Sequence, residues 1–234
     1  MTIKLSIIIP CYNEYNTIIK IIDRILDNNQ FIYEIIVIDD FSNDGSREIL
    51  KKLNKDKIQH LILNNKNYGK GYSIRQGIKK STCDIILVQD ADLEYDPSDY
   101  KKLINPIIRG NADVVYGSRF SSSEEKRVLY FWHSLGNIFL TFFSNIFTNL
   151  NLTDMECCYK VFKSEVIKNL KLKENRFGFE PEVTAKISKI KNLKIYEVGV
   201  KYYGRKYSEG KKITWIDGFS AIWCIIKYNF QKLK

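Results

Sequence analysis

The chain lacks the marks of a secreted scaffold, a zinc module or a tandem array. Its five cysteines, at positions 11, 83, 157, 158 and 224, form no Cys-x-x-Cys spacing and fall mostly inside apolar stretches. Free thiols in a reducing compartment fit that pattern better than a disulfide framework. Met1-Thr2-Ile3-Lys4-Leu5 runs straight into a strand-like segment, without the charged, apolar and small-residue regions of a signal peptide, so a cytoplasmic protein is expected. No Cys/His finger, RNP-like aromatic motif or base-reading helix is present, so the formal charge of +10 does not point to nucleic acid. Phosphorylated small molecules or an anionic lipid surface satisfy that charge equally well. No internal repeat or low-complexity linker interrupts the first 120 residues.

What is present is a chain of 234 residues, 44% hydrophobic, long enough for one large α/β domain. Leu5-Ser6-Ile7-Ile8-Ile9 and Ile35-Ile36-Val37-Ile38 are short β-rich runs ending in polar residues, the signature of parallel strands covered on both faces. Between them Ile18, Ile19, Ile21, Ile22, Ile25 and Leu26 recur at helical spacing. The alternation continues with a helix over 42–53, a strand over 58–63, a helix over 71–79, a strand over 84–88, a helix over 98–108 and a strand over 113–116. This order predicts a Rossmann-like, mostly parallel sheet flanked by helices.

The run Ile85-Ile86-Leu87-Val88-Gln89-Asp90-Ala91-Asp92 delivers two carboxylates to the C-terminal end of a buried strand, where open α/β sheets gather their ligands. An Asp-x-Asp pair presents hard oxygens with room for water and phosphate, as Mg²⁺ or Mn²⁺ requires. An acidic turn capping a helix is the alternative. Pro10-Cys11-Tyr12-Asn13-Glu14 follows the first strand and Asp39-Asp40-Phe41-Ser42-Asn43-Asp44-Gly45 the second, so both turns fall on the same sheet edge as Asp90 and Asp92. There Asp39 can accept hydrogen bonds from a base or ribose, and Ser42 or Asn43 can cap the next helix.

From Val128 to Leu150 there is no Asp, Glu, Lys or Arg. Phe131, Leu135, Ile138, Phe142, Ile146 and Leu150 share one helical face, with Phe139, Phe143 and Phe147 beside them. Ser134, Asn137, Thr141, Ser144, Asn145 and Thr148 fall opposite, too many polar groups for a spanning helix. A helix broken at Gly136 and packed on the sheet or in a dimer is expected, with acceptor or membrane contact as the alternative. Thr214 to Phe230 reads as a second amphipathic helix, offering Trp215, Phe219, Ile222, Trp223 and Ile226 to an interface.

Taken together, Ile8-Ile9-Pro10-Cys11-Tyr12-Asn13-Glu14, Asp39-Asp40-x-Ser42-x-Asp44-Gly45, Asn67-x-Gly69-Lys70-Gly71, Asp90-Ala91-Asp92-Leu93 and Gly117-Ser118-Arg119 resemble the motifs of family 2 glycosyltransferases of GT-A fold. Within that family the series is most similar to dolichyl- or polyprenyl-phosphate mannosyl- and glucosyltransferases. The match covers roughly residues 4 to 120 and continues less specifically through Tyr202 to Lys212. The resemblance implies a single GT-A domain over 1–234, with a nucleotide-sugar half at 1–120 and an acceptor half at 121–234 that ends in amphipathic helices. It further implies that Pro10, Tyr12, Glu14 and Asp39, with Asp40 close by and Lys70 alongside, hold the nucleotide-sugar donor. Asp90 and Asp92 would bind Mg²⁺ or Mn²⁺ bridging its diphosphate. Glu94 stands where the family often has Gln, and so becomes a third candidate ligand.

By the same resemblance Arg119 faces the acceptor phosphate, a bidentate task suited to guanidinium; an ion pair with Asp92 or Glu94 is its structural alternative. Arg205 and Lys212 would clamp phosphates from a basic, Gly-spaced flap over 202–212. Relatives place another acceptor-facing arginine in the segment equivalent to 127–137; here Arg127, His133 and Asn137 are the candidates. A helix is expected to begin after Pro181, with Glu180 or Glu182 near the site.

The activity implied is inverting transfer of a hexose from GDP-mannose or UDP-glucose to a polyprenyl or dolichyl phosphate. Such an acceptor is already anionic and needs positioning more than deprotonation. A soluble enzyme extending a glycan is the alternative and would need a carboxylate base, for which Glu94 or Glu182 is available. A non-catalytic nucleotide-binding subunit would have lost a metal carboxylate, and none is lost. Five basic residues between Lys201 and Lys212 favour peripheral attachment to an anionic leaflet, each contributing up to about 1 kcal/mol before screening. A homodimer or a membrane-protein partner would also use the aromatic helices.

Overall fold

A computed structural model describes residues 4–28, 32–53, 56–121, 127–128, 130–206, 209–210, 212 and 215–232. Seven strands form one sheet in the order β3-β2-β1-β4-β6-β5-β7. Strands β1 (Lys4–Cys11), β2 (Ile32–Asp39), β3 (His60–Leu63) and β4 (Ile85–Val88) are mutually parallel, linked by helices α1 (Ile18–Asp27), α2 (Ser46–Lys52) and α3 (Lys70–Lys80). Helix α4 (Tyr100–Ile108) follows a short 3₁₀ turn over Pro97–Asp99 and leads into β5 (Val114–Ser118). The expected helix over 42–53 is shorter at its start, because Asp44 and Gly45 are spent on the turn: the Asp44 carboxylate accepts from Ser46 N at 3.0 Å and from Tyr15 N at 2.9 Å.

The second half departs from simple alternation. Helix α5 (Phe131–Thr148) leads to β6 (Lys160–Lys163), which runs antiparallel between β4 and β5. Helices α6 (Ser164–Lys168) and α7 (Phe179–Ile187), strand β7 (Ile195–Gly199) and helix α8 (Trp215–Phe230) complete the chain. Because β6 is antiparallel, its start, not its end, reaches the edge where β1, β2 and β4 finish. Leu87 pairs with Val161, so Cys158 sits just beyond Val88, beside the acidic turn.

The core is built from the Ile- and Val-rich strands and the apolar stripes of α1, α3 and α4. Helix α3 lies close on the sheet because Gly77 faces Ile8 and Ile38, leaving no room for a Cβ. All five cysteines are free and buried. Burial pushes the thiols of Cys11, Cys157, Cys158 and Cys224 up, so they act as small apolar groups.

Helix α5 corrects one expectation. It is unbroken through Gly136. It is also turned polar side inward: Thr141, Ser144 and Thr148 are buried, while Phe131, Leu135, Ile138, Phe142 and Ile146 are exposed. The polar stripe holds the loop that follows. Thr141 Oγ1 accepts the Met155 N–H at 3.0 Å, and the Asn145 amide bonds both Leu152 O (2.8 Å) and Leu152 N (3.2 Å).

Helix α7 starts at Phe179, before Pro181, which sits in its first turn where no helical N–H bond is lost. In α8, Trp215, Phe219 and Trp223 are exposed, whereas Ile222 and Ile226 are half-buried. Thr214, expected to open that helix, lies outside the described residues, as do Tyr207, Ser208 and Lys211 of the expected flap.

Candidate active site

The turns after β1 and β2 are stitched together before they reach any ligand. Asn13, with φ of 51°, accepts from Asn43 N through its side chain (2.9 Å) and donates its own N–H to Ser42 Oγ (2.9 Å). Glu14 N bonds Ser46 Oγ at 2.9 Å. The Asp40 carboxylate accepts from Tyr68 N (2.9 Å), Gly69 N (2.7 Å) and Asn64 Nδ2 (2.7 Å). Asp40 therefore anchors the 64–69 loop that starts α3. Gly69, at φ of 104°, is required there, because the Asn175 carbonyl occupies the space a Cβ would take.

These turns and the acidic run form one wall of a cleft of about 1260 Å³; the loop after β5, the α5–β6 loop, α7, the flap residues and α8 form the other. Of the sequence-predicted residues, Pro10, Tyr12, Glu14, Asp40, Lys70, Asp90, Asp92, Glu94, Arg119, Arg205 and Lys212 all line it. Asp39 lies behind the wall, fully buried, with one carboxylate oxygen 2.7 Å from Arg47 Nε and the other, Oδ1, without a hydrogen-bond partner among the described residues.

Charge in the cleft is densely compensated. Lys70 Nζ lies 2.9 Å from Asp90 and 3.2 Å from Glu180. Burial opposes ionisation of Asp90, but Lys70 overrides it and holds the carboxyl below its usual range. Asp92 is pushed the other way, first by burial and then by the charges of Asp90 and Glu94. Arg205 answers that excess: Nη2 is 2.6 Å from Asp92 and Nη1 is 3.1 Å from both oxygens of Glu14. Lys212 adds a 2.7 Å bond to Glu14 and one to the Tyr12 carbonyl. The two flap cations thus reach back onto the first and fourth strand ends.

Glu94 spends its carboxylate on the flap, accepting from Arg205 N (2.7 Å) and Tyr202 OH (3.2 Å). Arg119 pairs neither with Asp92 nor with Glu94, the structural alternative to its acceptor role. It grips Asp154 through Nε (2.6 Å) and Nη2 (2.7 Å) and stacks over Tyr202. Asp154 comes from the α5–β6 loop, and nothing local in the sequence tied it to Arg119.

Arg127 lies on the outside, bonded to Glu209 (2.9 Å) and the Gly204 carbonyl (3.0 Å), while His133 and Asn137 line the cleft. Glu180 lines it too, but Glu182 is fully buried, accepting from Lys173 N, Glu174 N and Lys186 Nζ; it braces the 173–174 turn and is no base for the cleft. A residue not singled out from sequence, Glu156, also lines the cleft. Its signal was a lone carboxylate in the otherwise uncharged run Met155-Glu156-Cys157-Cys158.

A mostly parallel sheet with one antiparallel strand, flanked by helices and with an acidic pair at the end of β4, is the GT-A class of glycosyltransferase fold. The sequence model described as "Glycosyl transferase family 2" matches residues 6–171, and the chain belongs to that family. It is 28% identical, over 97% of its length and 96% of the relative's, to a UDP-N-acetylglucosamine--dolichyl-phosphate N-acetylglucosaminyltransferase of Methanococcus voltae. It is 26% identical, over 89% of its length and 62% of the relative's, to an undecaprenyl-phosphate 4-deoxy-4-formamido-L-arabinose transferase of Pectobacterium atrosepticum. Among solved structures, glucosyl-3-phosphoglycerate synthase from Mycobacterium tuberculosis, crystallised with Mn²⁺ and UDP-glucose, superposes with a TM-score of 0.75 at 16% identity, covering 97% of this chain and 79% of that one. That likeness concerns the fold.

Proposed function

We propose that the protein transfers a sugar, with inversion, from a UDP-linked donor to a polyprenyl phosphate at a membrane surface. The observation that carries this reading is the position of the exposed aromatic helices. Trp132 of α5 and Trp215 of α8 line the cleft yet are 77% and 74% exposed, and Phe139, Phe142, Phe219 and Trp223 on the same two helices are exposed as well. Such a surface at the rim of a cleft lined by basic side chains suits an acceptor with an anionic head and a long hydrocarbon tail. No helix among the described residues is long and apolar enough to cross a membrane, so the contact is a peripheral one. The occupant is the bilayer leaflet itself, because Trp at both helices matches the aromatic preference of lipid interfaces. Both named relatives carry a polyprenyl-type phosphate in their names, and the full-length one carries a UDP-sugar, which favours UDP-glucose or UDP-N-acetylglucosamine over GDP-mannose.

The buried carboxylates fit a divalent ion: Asp92 is hard, desolvated and crowded by Asp90 and Glu94. Among the described residues no three side chains form a ready metal cage, so a bound Mg²⁺ or Mn²⁺ would take further ligands from phosphate and water. Asp90 and Asp92 would hold it, and it would supply stabilisation of the departing diphosphate. Lys70 orients the same phosphates, held in place by Asp90 and Glu180. Arg119, locked by Asp154, presents a fixed cation to the acceptor phosphate, whose oxygen needs no base. Arg205 and Lys212 exchange carboxylate partners for phosphate oxygens as the flap engages. Asp39, behind the wall, supports the nucleoside side of the cleft by holding Arg47 and the Ser42 N–H.

The test incubates purified protein with Mn²⁺, each of UDP-glucose, UDP-N-acetylglucosamine and GDP-mannose, and either undecaprenyl phosphate in vesicles or soluble glycans. Lipid-linked product from a UDP-sugar is expected. Product on soluble glycans alone would overturn the lipid acceptor and favour the glycan-extending reading.

A further inference from the structure

Five buried side-chain polar atoms lack a hydrogen-bond partner among the described residues: Glu34 Oε1, Asp39 Oδ1, Arg75 Nε, Glu156 Oε1 and Arg205 Nε. Buried polar atoms are nearly always paired, so each orphan calls for an explanation. Asp39 and Arg205 already have tasks in the proposed donor site. Glu156 does not, although it opens on the same cleft and keeps partial exposure through it.

A bracing role does not account for Glu156. The bracing carboxylate of this fold, Glu182, collects two backbone N–H groups and an ammonium. Lys160, the nearest cation in sequence, makes no hydrogen bond to Glu156 Oε1; it is bonded to the Cys157 carbonyl and placed over the Tyr116 ring. What distinguishes Glu156 is position. Two residues before it, Asp154 grips Arg119; two residues after it, the Cys158 thiol faces the Val88 carbonyl, and the β4–β6 register sets Cys158 beside Asp90. It therefore stands between the group assigned to the acceptor phosphate and the groups assigned to the donor diphosphate. The transferred sugar has to occupy that interval, because its anomeric carbon passes from one phosphate to the other.

We infer that Glu156 reads the transferred sugar, its carboxyl hydrogen-bonding a ring hydroxyl or an N-acyl group. Burial first, then the charge of Glu180 with a contribution from Asp154, pushes Glu156 up to about 8 against the opposing pull of Lys160 and Arg119. A carboxyl that keeps its proton near neutrality offers both a donor and an acceptor, as a sugar hydroxyl does, and sets no anion beside two phosphates.

The inference rests on the donor reading above, and the experiment separates the two. Calorimetry with Mn²⁺ compares UDP against UDP-glucose and UDP-N-acetylglucosamine for wild type, Glu156→Ala and Glu156→Gln, with thermal melts confirming that each variant folds. Glu156→Ala is expected to leave UDP affinity within about twofold of wild type and to weaken the better UDP-sugar by roughly tenfold, while Glu156→Gln, which keeps a donor and an acceptor, retains most of it. Equal weakening of UDP and UDP-sugar would overturn the inference, as would unchanged affinities accompanied by loss of turnover in both variants, which would mark a proton-transfer role. Wild type binding neither UDP nor any UDP-sugar would sink the donor reading and this inference with it.

Discussion

Two side chains concentrate the chemistry of the cleft, and each makes a separate prediction. Arg205 is the counter-charge of Asp92, which burial and like charges already disfavour as an anion. Removing it in Arg205→Met should cost about 3 kcal/mol of stability, as for a buried ion pair losing one partner. Mn²⁺ should then raise the melting temperature of the variant by more than it raises that of wild type. Equal shifts in a thermal melt would separate Arg205 from the metal site. Glu156 predicts a pH effect of definite sign. The folded state holds its proton up to about pH 8 whereas the unfolded chain releases it near 4.5, so its contribution to stability, full at low pH, is lost as pH rises through about 8. Melts of Glu156→Gln should therefore decline less between pH 6 and 9 than those of wild type. Asp90, Asp92, Glu14 and Arg119 were legible in sequence because strand-end motifs place them. Asp154 and Glu156 were not, because their meaning comes from a loop folded back against β4 and β5 by a strand too short, and too rich in lysine, to announce itself.

At the scale of elements, α5 shows how far an amphipathic pattern can be trusted. Its periodicity located the helix and separated the two faces correctly, but hydrophobicity alone would have buried the wrong one. The polar face goes inward because its hydroxyls and amides are needed by the 150–155 backbone. Thr141→Val should accordingly cost about 1–3 kcal/mol by orphaning the Met155 N–H, measurable by denaturant melts. By contrast, Phe139→Ser combined with Phe142→Ser on the exposed face should change stability by about 0.5 kcal/mol or less per site. That double variant should lose most binding to anionic vesicles in a sedimentation assay while still binding UDP. Unchanged sedimentation would count against the membrane surface.

For the whole molecule, the mostly parallel sheet and the turns after β1, β2 and β4 were readable because parallel strands covered on both faces leave an unmistakable alternation, whereas the strand order was not. In the second half the two long helices were readable but the strands were not, since β6 is a four-residue strand with a lysine at each end and runs backward between β4 and β5. With a formal charge of +10, vesicle binding should weaken as salt rises from 50 to 500 mM, and chelation of divalent ions should abolish sugar transfer without detaching the protein from vesicles. Transfer that survives chelation would contradict a metal held by Asp90 and Asp92.

The reversed strand has one more consequence. Gly117 N bonds the Tyr159 carbonyl at 2.7 Å, and Tyr116 is in register with Lys160, so the forty residues between Ser118 and Tyr159 leave the sheet and return to it at one spot. A segment whose ends touch is a graft waiting for a host. It carries Arg119, the aromatic helix, Asp154 and Glu156 together, while the turns after β1, β2 and β4 stay behind. Exchanging it between two family members of different acceptor should move acceptor preference with the graft and leave nucleotide preference with the host, a division of inheritance drawn by hydrogen bonds within a single sheet.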